Sequence, residues 1–335
     1  MSEPIFPFRR DRLVFVNELS ALGLDPRDLR RAHARGSVVR VRRGVYMSRE
    51  QWDAASPSER HVMVVRAVVR VAHSPFLVAG RSAAAMWGMP YAAEWPDDVT
   101  LLTPYRGGGT SEIGVRRTSA AASGATVTAT TLKGVPVTGM ARTALDVARG
   151  LPLPAAVAVL DWAQWRKNRL AVSRDELDTE WRRAHYARGG AFLRHTLDLS
   201  TELSGSPGES KARVAVHLLG FEAPELQVRF VDAEGEMFPD FFWRGVAVAG
   251  EFDGKAKYSR EEYSGGDPTE VLWKEKKRED RLRRQVRGIV RILSEHVAQP
   301  RRLEALLTEA GIPRRPRERP SSDAREPCPQ GSAAP

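Results

Sequence analysis

The chain has 335 residues, long enough for two or three domains that each bury a core. Apolar residues make up 42% and charged residues 28%, an ordinary globular balance, and a formal net charge of +10 favours an anionic partner such as nucleic acid. The single cysteine, Cys328, excludes disulfides and cysteine-based metal sites, and the lack of an apolar run of about 18 residues or of a leader core predicts a cytoplasmic protein with no membrane partner.

In chain order, Arg12 to Leu22 predicts a short helix with Leu13, Val16, Leu19 and Leu22 on one face, stopped by Gly23. Asp25-Pro26 opens a second helix, with Asp as N-cap and Pro at the first helical position, running to about Ala34 before Gly36. A hairpin follows, Val38 to Val41 and Val45 to Met47, turning at Arg42-Arg43-Gly44. Helix, turn, helix and hairpin is the order of a winged helix. Arg27, Arg30, Arg31, Arg35, Arg40, Arg42 and Arg43 face one acid, Asp28, in that window. A helix offering arginine to a groove and a basic wing tip reaching phosphates would bind DNA; the alternative is a solvated basic face.

The middle region, 51–195, mixes helices and strands. Helices are expected over Pro57 to His73, Gly80 to Gly88, Thr138 to Arg149 and Pro154 to Trp165, with a strand over Val99 to Thr103. Ser173 and Glu176 form a capping box for another helix. Arg106-Gly107-Gly108-Gly109-Thr110 lacks the GK[ST] ending of a phosphate loop and reads as a connection between strands. The histidines are scattered without ligand spacing, and no internal repeat is visible.

From Thr201 the chain turns α/β. Ser206-Pro207-Gly208-Glu209 is a capping pattern that starts a helix to Leu219, and Glu225 to Val231 predicts a strand with Gln227 at its edge. Phe238 to Tyr258 then reads as a hairpin turning at Arg244-Gly245. With an even loop centred there, Asp240 lies opposite Ala249 and diagonal to Glu251, roughly 7–8 Å away on one face. Glu251 and Asp253 share that face because strand side chains alternate. Thr269 to His296 is expected as one helix, with Leu272, Leu282, Val286, Ile289, Leu293 and Val297 at helical spacing. Its charged first half, Lys274 to Arg284, either forms a solvated face or holds a nucleic-acid backbone through Lys276, Lys277 and Arg281. A last short helix, Arg301 to Ala310, precedes a Pro-, Arg- and Ser-rich tail expected to be disordered.

Asp240, Glu251-x-Asp253-Gly254 and Lys255 resemble the PD-(D/E)xK restriction-endonuclease-like superfamily, nearest its very-short-patch-repair relatives. Ser206 to Ser210 and Trp273 to Arg281 agree with that likeness, which covers about residues 200–300. The resemblance implies that Asp240, Glu251 and Asp253 ligate Mg²⁺ or Mn²⁺ and that Lys255 neutralises charge on the phosphate. It also implies that Glu209 can reach the metal, set against Glu209 simply capping its own helix. The superfamily's lysine spacing fits Asp253-x-Lys255, which leaves Glu251 and Asp253 as rival primary carboxylates. Separately, Arg35 to Ser48 (RGSVVRVRRGVYMS) resembles the N-terminal winged helix of AbiEi-family antitoxins of type IV toxin–antitoxin systems. Further likeness lies in Arg81 to Ala85 and Val137 to Asp146. That resemblance implies operator binding, repression, and a nucleotidyltransferase toxin encoded nearby.

The resulting expectation is an α+β multidomain chain: a winged helix over 1–50, an α/β middle over 51–195, a restriction-endonuclease-like domain over 196–312 and a tail over 313–335. The leading functional expectation is metal-dependent cleavage of DNA. The alternative is an AbiEi-like repressor whose nuclease-like domain only binds, and a third reading substitutes RNA for DNA.

Overall fold

The computed structural model describes residues 13–72, 75–91, 93–104, 112–119, 127–254 and 268–316. Among those residues the chain is mixed α/β, with twelve α-helices and four sheets.

The described chain opens with strand β1 (Val14–Phe15) and two 3-10 turns, Val16–Glu18 and Ser20–Leu22, in place of the helix expected there. The reason lies in consecutive burial. Val14 packs into the core on one side of a sheet and Phe15 into the core on the other, which a strand allows and a helical stripe does not. Helix α1 (Pro26–Ala34) starts as expected: Asp25 Oδ1 accepts the Arg27 N–H at 2.7 Å. Gly36, at φ 79°, turns the chain out of the helix in the left-handed conformation that glycine tolerates. Strands β2 (Val38–Arg42) and β3 (Val45–Ser48) complete a sheet of order β1-β3-β2. α1 covers one face through Leu29 and Ala32. The other face packs on α2 (Arg49–Ala54) and α3 (Pro57–Val69), with Phe15, Val45 and Met47 against Met63 and Ala67. Helix α3 thus shares a core with the first fifty residues.

The second side of α3 faces a five-stranded sheet of order β6-β5-β4-β8-β7, built from β4 (Leu77–Val78), β5 (Val99–Thr103), β6 (Val115–Ser119), β7 (Ala129–Leu132) and β8 (Val135–Thr138). Val65 and Val68 meet Val78, Leu101 and Val137 there, with Ala83 of α4 (Gly80–Trp87). A helical layer follows: α5 (Met140–Ala148), α6 (Leu153–Gln164), α7 (Arg174–Ala184) and α8 (Gly190–Leu199). The capping box Ser173/Glu176 forms as the sequence predicts. The Val137 to Asp146 motif is a buried joint rather than a surface feature. Thr138 and Thr143 hydroxyls lie 2.7 Å apart, Arg142 Nε donates to Asp146 at 2.8 Å, and the Tyr186 hydroxyl donates to Asp146 at 2.9 Å.

Helix α9 (Pro207–Leu218) packs on α6 and is fastened to it by a buried pair. Arg213 Nη2 lies 2.9 Å from Asp161 Oδ2, and the Thr201 N–H donates to Asp161 Oδ1 at 2.7 Å. A four-stranded sheet of order β14-β13-β12-β9 follows: β9 (Glu225–Leu226), β12 (Phe241–Trp243), β13 (Val248–Asp253) and β14 (Gly288–Leu293). A side hairpin, β10 (Phe230–Asp232) and β11 (Gly235–Met237), replaces the second half of the expected 225–231 strand, because Gln227 turns the chain at φ 53°. α9, α11 (Ser294–Ala298) and α12 (Pro300–Glu309) pack on one face of the sheet, with Phe241, Trp243 and Phe252 in their shared core.

The largest departure from expectation is at 269–296. A helix α10 (Pro268–Arg283) ends early, and Gly288 to Leu293 is a strand parallel to β13. The run Ile289-Val290-Arg291-Ile292 is rich in β-branched residues, and pairing buries Val290 and Ile292. Residues 105–111, which include the glycine-rich Arg106 to Thr110, and 317–335, with Cys328, lie outside the described residues.

Candidate functional site

Two charged surfaces carry the candidate chemistry. The first is N-terminal. Leu29 and Ala32 bury one face of α1, so Arg27, Arg30, Arg31 and Arg35 emerge on exposed positions. Arg31 Nη1 lies 3.0 Å from Asp28 Oδ1. Arg40 and Arg43 are exposed and Arg42 is half-buried, with Gly44 at φ 78° closing the β2–β3 turn. The structure therefore places the seven arginines in one module, on α1 and its C-cap, on β2 and at the β2–β3 turn.

The second surface is the face of the C-terminal sheet under α10. The β12–β13 loop holds four residues, Arg244 to Ala247, so it is even as expected, but it is centred one residue later than Arg244-Gly245. The ladder pairs Phe241 with Gly250, Phe242 with Ala249 and Trp243 with Val248. One step on, Asp240 stands directly opposite Glu251 rather than diagonal to it, and Asp253 follows on the same face. Phe252 points the other way and lies under the start of α9. A side chain at Gly208 would place its Cβ 2.0 Å from the Phe252 ring, so the glycine of the Ser206 to Glu209 motif permits this close approach.

Each carboxylate is engaged by the protein itself. Asp240 Oδ2 accepts the Phe252 N–H at 2.8 Å. Glu251 Oε1 accepts from Arg278 Nη2 at 3.1 Å, and the same nitrogen donates to the Phe238 carbonyl at 3.0 Å. Asp253 Oδ2 lies 3.4 Å from Arg291 Nη1, while Arg291 Nη2 bonds Glu279. Hydrogen bonds from Arg283 and then Arg291 hold Glu279 below the usual carboxylate range, outweighing the upward push of burial. Ser206 caps α9: its Oγ accepts the Glu209 N–H at 3.2 Å, and the Glu209 carboxylate accepts the Gly205 N–H at 2.8 Å.

Carboxylate oxygens are the right donors for a hard cation such as Mg²⁺. Among the described residues no three His, Cys, Asp or Glu side chains gather closely enough to hold a metal ion. Lys255 lies outside the described residues. On α10, Lys276 and Lys277 are exposed, and Lys277 Nζ sits 5.3 Å from the Trp273 ring centre. Arg281 is spent on structure: it donates to both oxygens of Asp232 and to the Gly235 carbonyl at 3.0 Å, clamping the β10–β11 hairpin. Sequence reasoning missed Arg278 and Arg291. The first was hidden in a run of like residues, and the second in a stretch read as helix.

No helix among the described residues is long and apolar enough to cross a membrane. Over 117 residues the chain is 35% identical to two uncharacterized proteins of Mycobacterium tuberculosis, MT2308 of strain CDC 1551 and Rv2248 of strain H37Rv. The match covers 35% of this chain and 42% of each relative, so the chain spans less than half the length of the curated relatives it matches. The crystal structure of the RV2827C protein from the same organism aligns at 17% identity with a TM-score of 0.34, over 63% of this chain and 82% of that one. Residues 6–49, the stretch that presents the seven arginines, match the AbiEi_4 family model, described as a transcriptional regulator, AbiEi antitoxin.

Proposed function

We propose that the chain is a DNA-binding transcriptional regulator of the AbiEi antitoxin kind. In this reading α1 and the β2–β3 turn form a winged-helix reader, and the nuclease-like C-terminal sheet does not cut. The observation that carries it is the coincidence of the 6–49 family match with the exposed arginines of α1 and the turn. An arginine helix in a groove positions bases and backbone, and a basic turn neutralises phosphates. A nucleotidyltransferase toxin encoded nearby is the partner this reading calls for.

The test is binding of the full chain to the DNA upstream of its own gene, titrated against salt. Salt-sensitive binding that prefers this DNA over unrelated duplex supports the reading; equal binding to all duplexes, or none, overturns it. The competing reading is Mg²⁺- or Mn²⁺-dependent cleavage of DNA. It keeps one observation in its favour, the shared face of Asp240, Glu251 and Asp253, and it requires Glu251 and Asp253 to leave Arg278 and Arg291. Plasmid nicking that needs Mg²⁺ or Mn²⁺ and disappears in Asp240→Ala would establish it.

A further inference from the structure

We propose that the DNA surface continues past the wing into a basic groove between α3 and the β7–β8 turn, where Arg66, Arg70 and Lys133 contact successive backbone phosphates. The proposal rests on the DNA-binding reading above and extends it to residues outside the family match, which ends at residue 49.

The groove has a volume of about 610 Å³ and is lined by Phe15, Arg66, Val69, Arg70, Lys133 and Val135, among others. Three of these are cations and, among the described residues, no carboxylate lines it. Glu18 bonds Arg70 at 2.7 Å and steadies it from the side. Arg66 and Arg70 are four residues apart on α3, so they project from the same side of the helix. The Arg70 guanidinium lies 5.8 Å from the Phe15 ring centre. Phe15, Val69 and Val135 give the groove an apolar floor, which lowers the local dielectric and strengthens the pull of its cations on an anion.

Placement identifies the anion. The Val16 N–H donates to the Gly44 carbonyl at 2.9 Å, so the end of β1 is fastened to the wing turn. The next residue back, Phe15, lines the groove. That bond joins the turn that carries Arg42 and Arg43 to the strand whose Phe15 lines the groove beside Arg70, Arg66 and Lys133. A free phosphate would need one such cluster; a duplex backbone, with its repeated phosphates, makes use of the whole run.

Lys133 supplies a second, independent observation. It and Gly134 form a two-residue hairpin turn with φ of 50° and 81°. That turn ordinarily selects Asn, Asp or Gly at its first position. A lysine held there puts an ammonium at the tip of the hairpin, beside the groove.

The experiment compares duplex binding by the full chain across a salt series for three proteins: the wild type, Arg66→Gln/Lys133→Asn, and Arg42→Ala/Arg43→Ala. Asparagine suits the left-handed position, so the groove variant should melt with the wild type. It is expected to bind all duplex sequences more weakly and to reduce the salt slope by about 1.8, two contacts at about 0.9 each. Should it fail to fold, Lys133→Glu alone, at an exposed turn, must still lower the slope by about 0.9 or more. A groove variant with the wild-type slope, beside a wing variant with a reduced one, overturns this inference and leaves the DNA-binding reading standing. A wild type with no salt-sensitive duplex binding overturns both.

Discussion

Along α1, β2 and the β2–β3 turn, Arg27, Arg30, Arg31, Arg35, Arg40 and Arg43 stand on exposed positions, and the carboxylates of that stretch are Asp25, which caps α1, and Asp28. On the C-terminal sheet the arginines are bound to acids instead: Arg278 to Glu251, Arg281 to Asp232, Arg283 and Arg291 to Glu279, Arg244 to Glu225. Both regions are rich in arginine, and a net charge of +10 does not distinguish them. The local supply of carboxylates does. Where acids are scarce the guanidinium faces solvent and can meet a phosphate; where they are plentiful it crosslinks strands and helices. The comparison gives the C-terminal arginines a structural role and leaves those of the N-terminal module to the proposed contact with DNA.

The largest effect should come from the arginine paired with the most deeply buried carboxylate among the described ion pairs. Arg213 meets Asp161, whose side chain is 1% exposed, across the α6–α9 contact. Asp161→Asn leaves a buried guanidinium without its counter-charge, at a cost of about 3–5 kcal/mol. Urea unfolding should show that loss, while the salt slope of DNA binding in the surviving folded protein stays at the wild-type value. A loss below about 1 kcal/mol would mean that the pair does not hold α9 to α6.

Arg42→Ala with Arg43→Ala should do the reverse. Two lost phosphate contacts lower the salt slope by about 1.8, so between 50 and 200 mM salt the variant's affinity should fall roughly 12-fold less than the wild type's. Its unfolding midpoint should hardly move, since exposed substitutions usually stay within about 0.5 kcal/mol. A variant that melts early and keeps its salt slope would erase the contrast between the two regions.

The two ends also differ in how much of them the sequence disclosed. The N-terminal module is built from local signals: Asp25-Pro26 caps a helix, Gly36 stops it, and Gly44 closes a hairpin, each readable within four residues. The C-terminal sheet depends on partners far along the chain. Gly288 to Leu293 becomes a strand because β13, some forty residues earlier, offers it a parallel edge. Its apolar residues also fit a helical period, and nothing local separates the two. The candidate site shows the same division. The shared face of Asp240, Glu251 and Asp253 follows from strand alternation and an even loop. The arginines that occupy those carboxylates arrive from a crossover helix and from β14, and their contacts depend on that pairing.

Arg278→Gln probes the cost of one such contact. The pair with Glu251 is 3.1 Å long and the arginine side chain is 40% exposed, so its loss should lower stability by only about 0.2–1 kcal/mol. The informative measurement is the melting temperature with and without Mg²⁺. Under the regulator reading Mg²⁺ adds nothing to either protein. A Mg²⁺-dependent rise confined to Arg278→Gln would mean that the arginine masks a cation site, and would favour the cleavage reading.

Acid should separate the two ends more gently. Arginine hydrogen bonds depress Glu279, Asp232 and Glu225 below the ordinary carboxylate range. A carboxylate whose folded pKa lies below its unfolded value, about 4.3 for Glu and 3.9 for Asp, contributes stability that is complete above that unfolded value. The contribution is lost as pH falls through the depressed folded value, because the unfolded chain takes up the proton first. Between about pH 5 and pH 3, amide protection in β13 and β14 should therefore decline before that in β2 and β3. Arg291→Gln, which removes a donor to both Glu279 and Asp253, should make the acid decline of β13 and β14 shallower, since less stabilisation remains to be lost. Simultaneous loss of protection in both sheets would show that the arginine–carboxylate pairs contribute little, and that the C-terminal charges are as solvated as those of the β2–β3 turn.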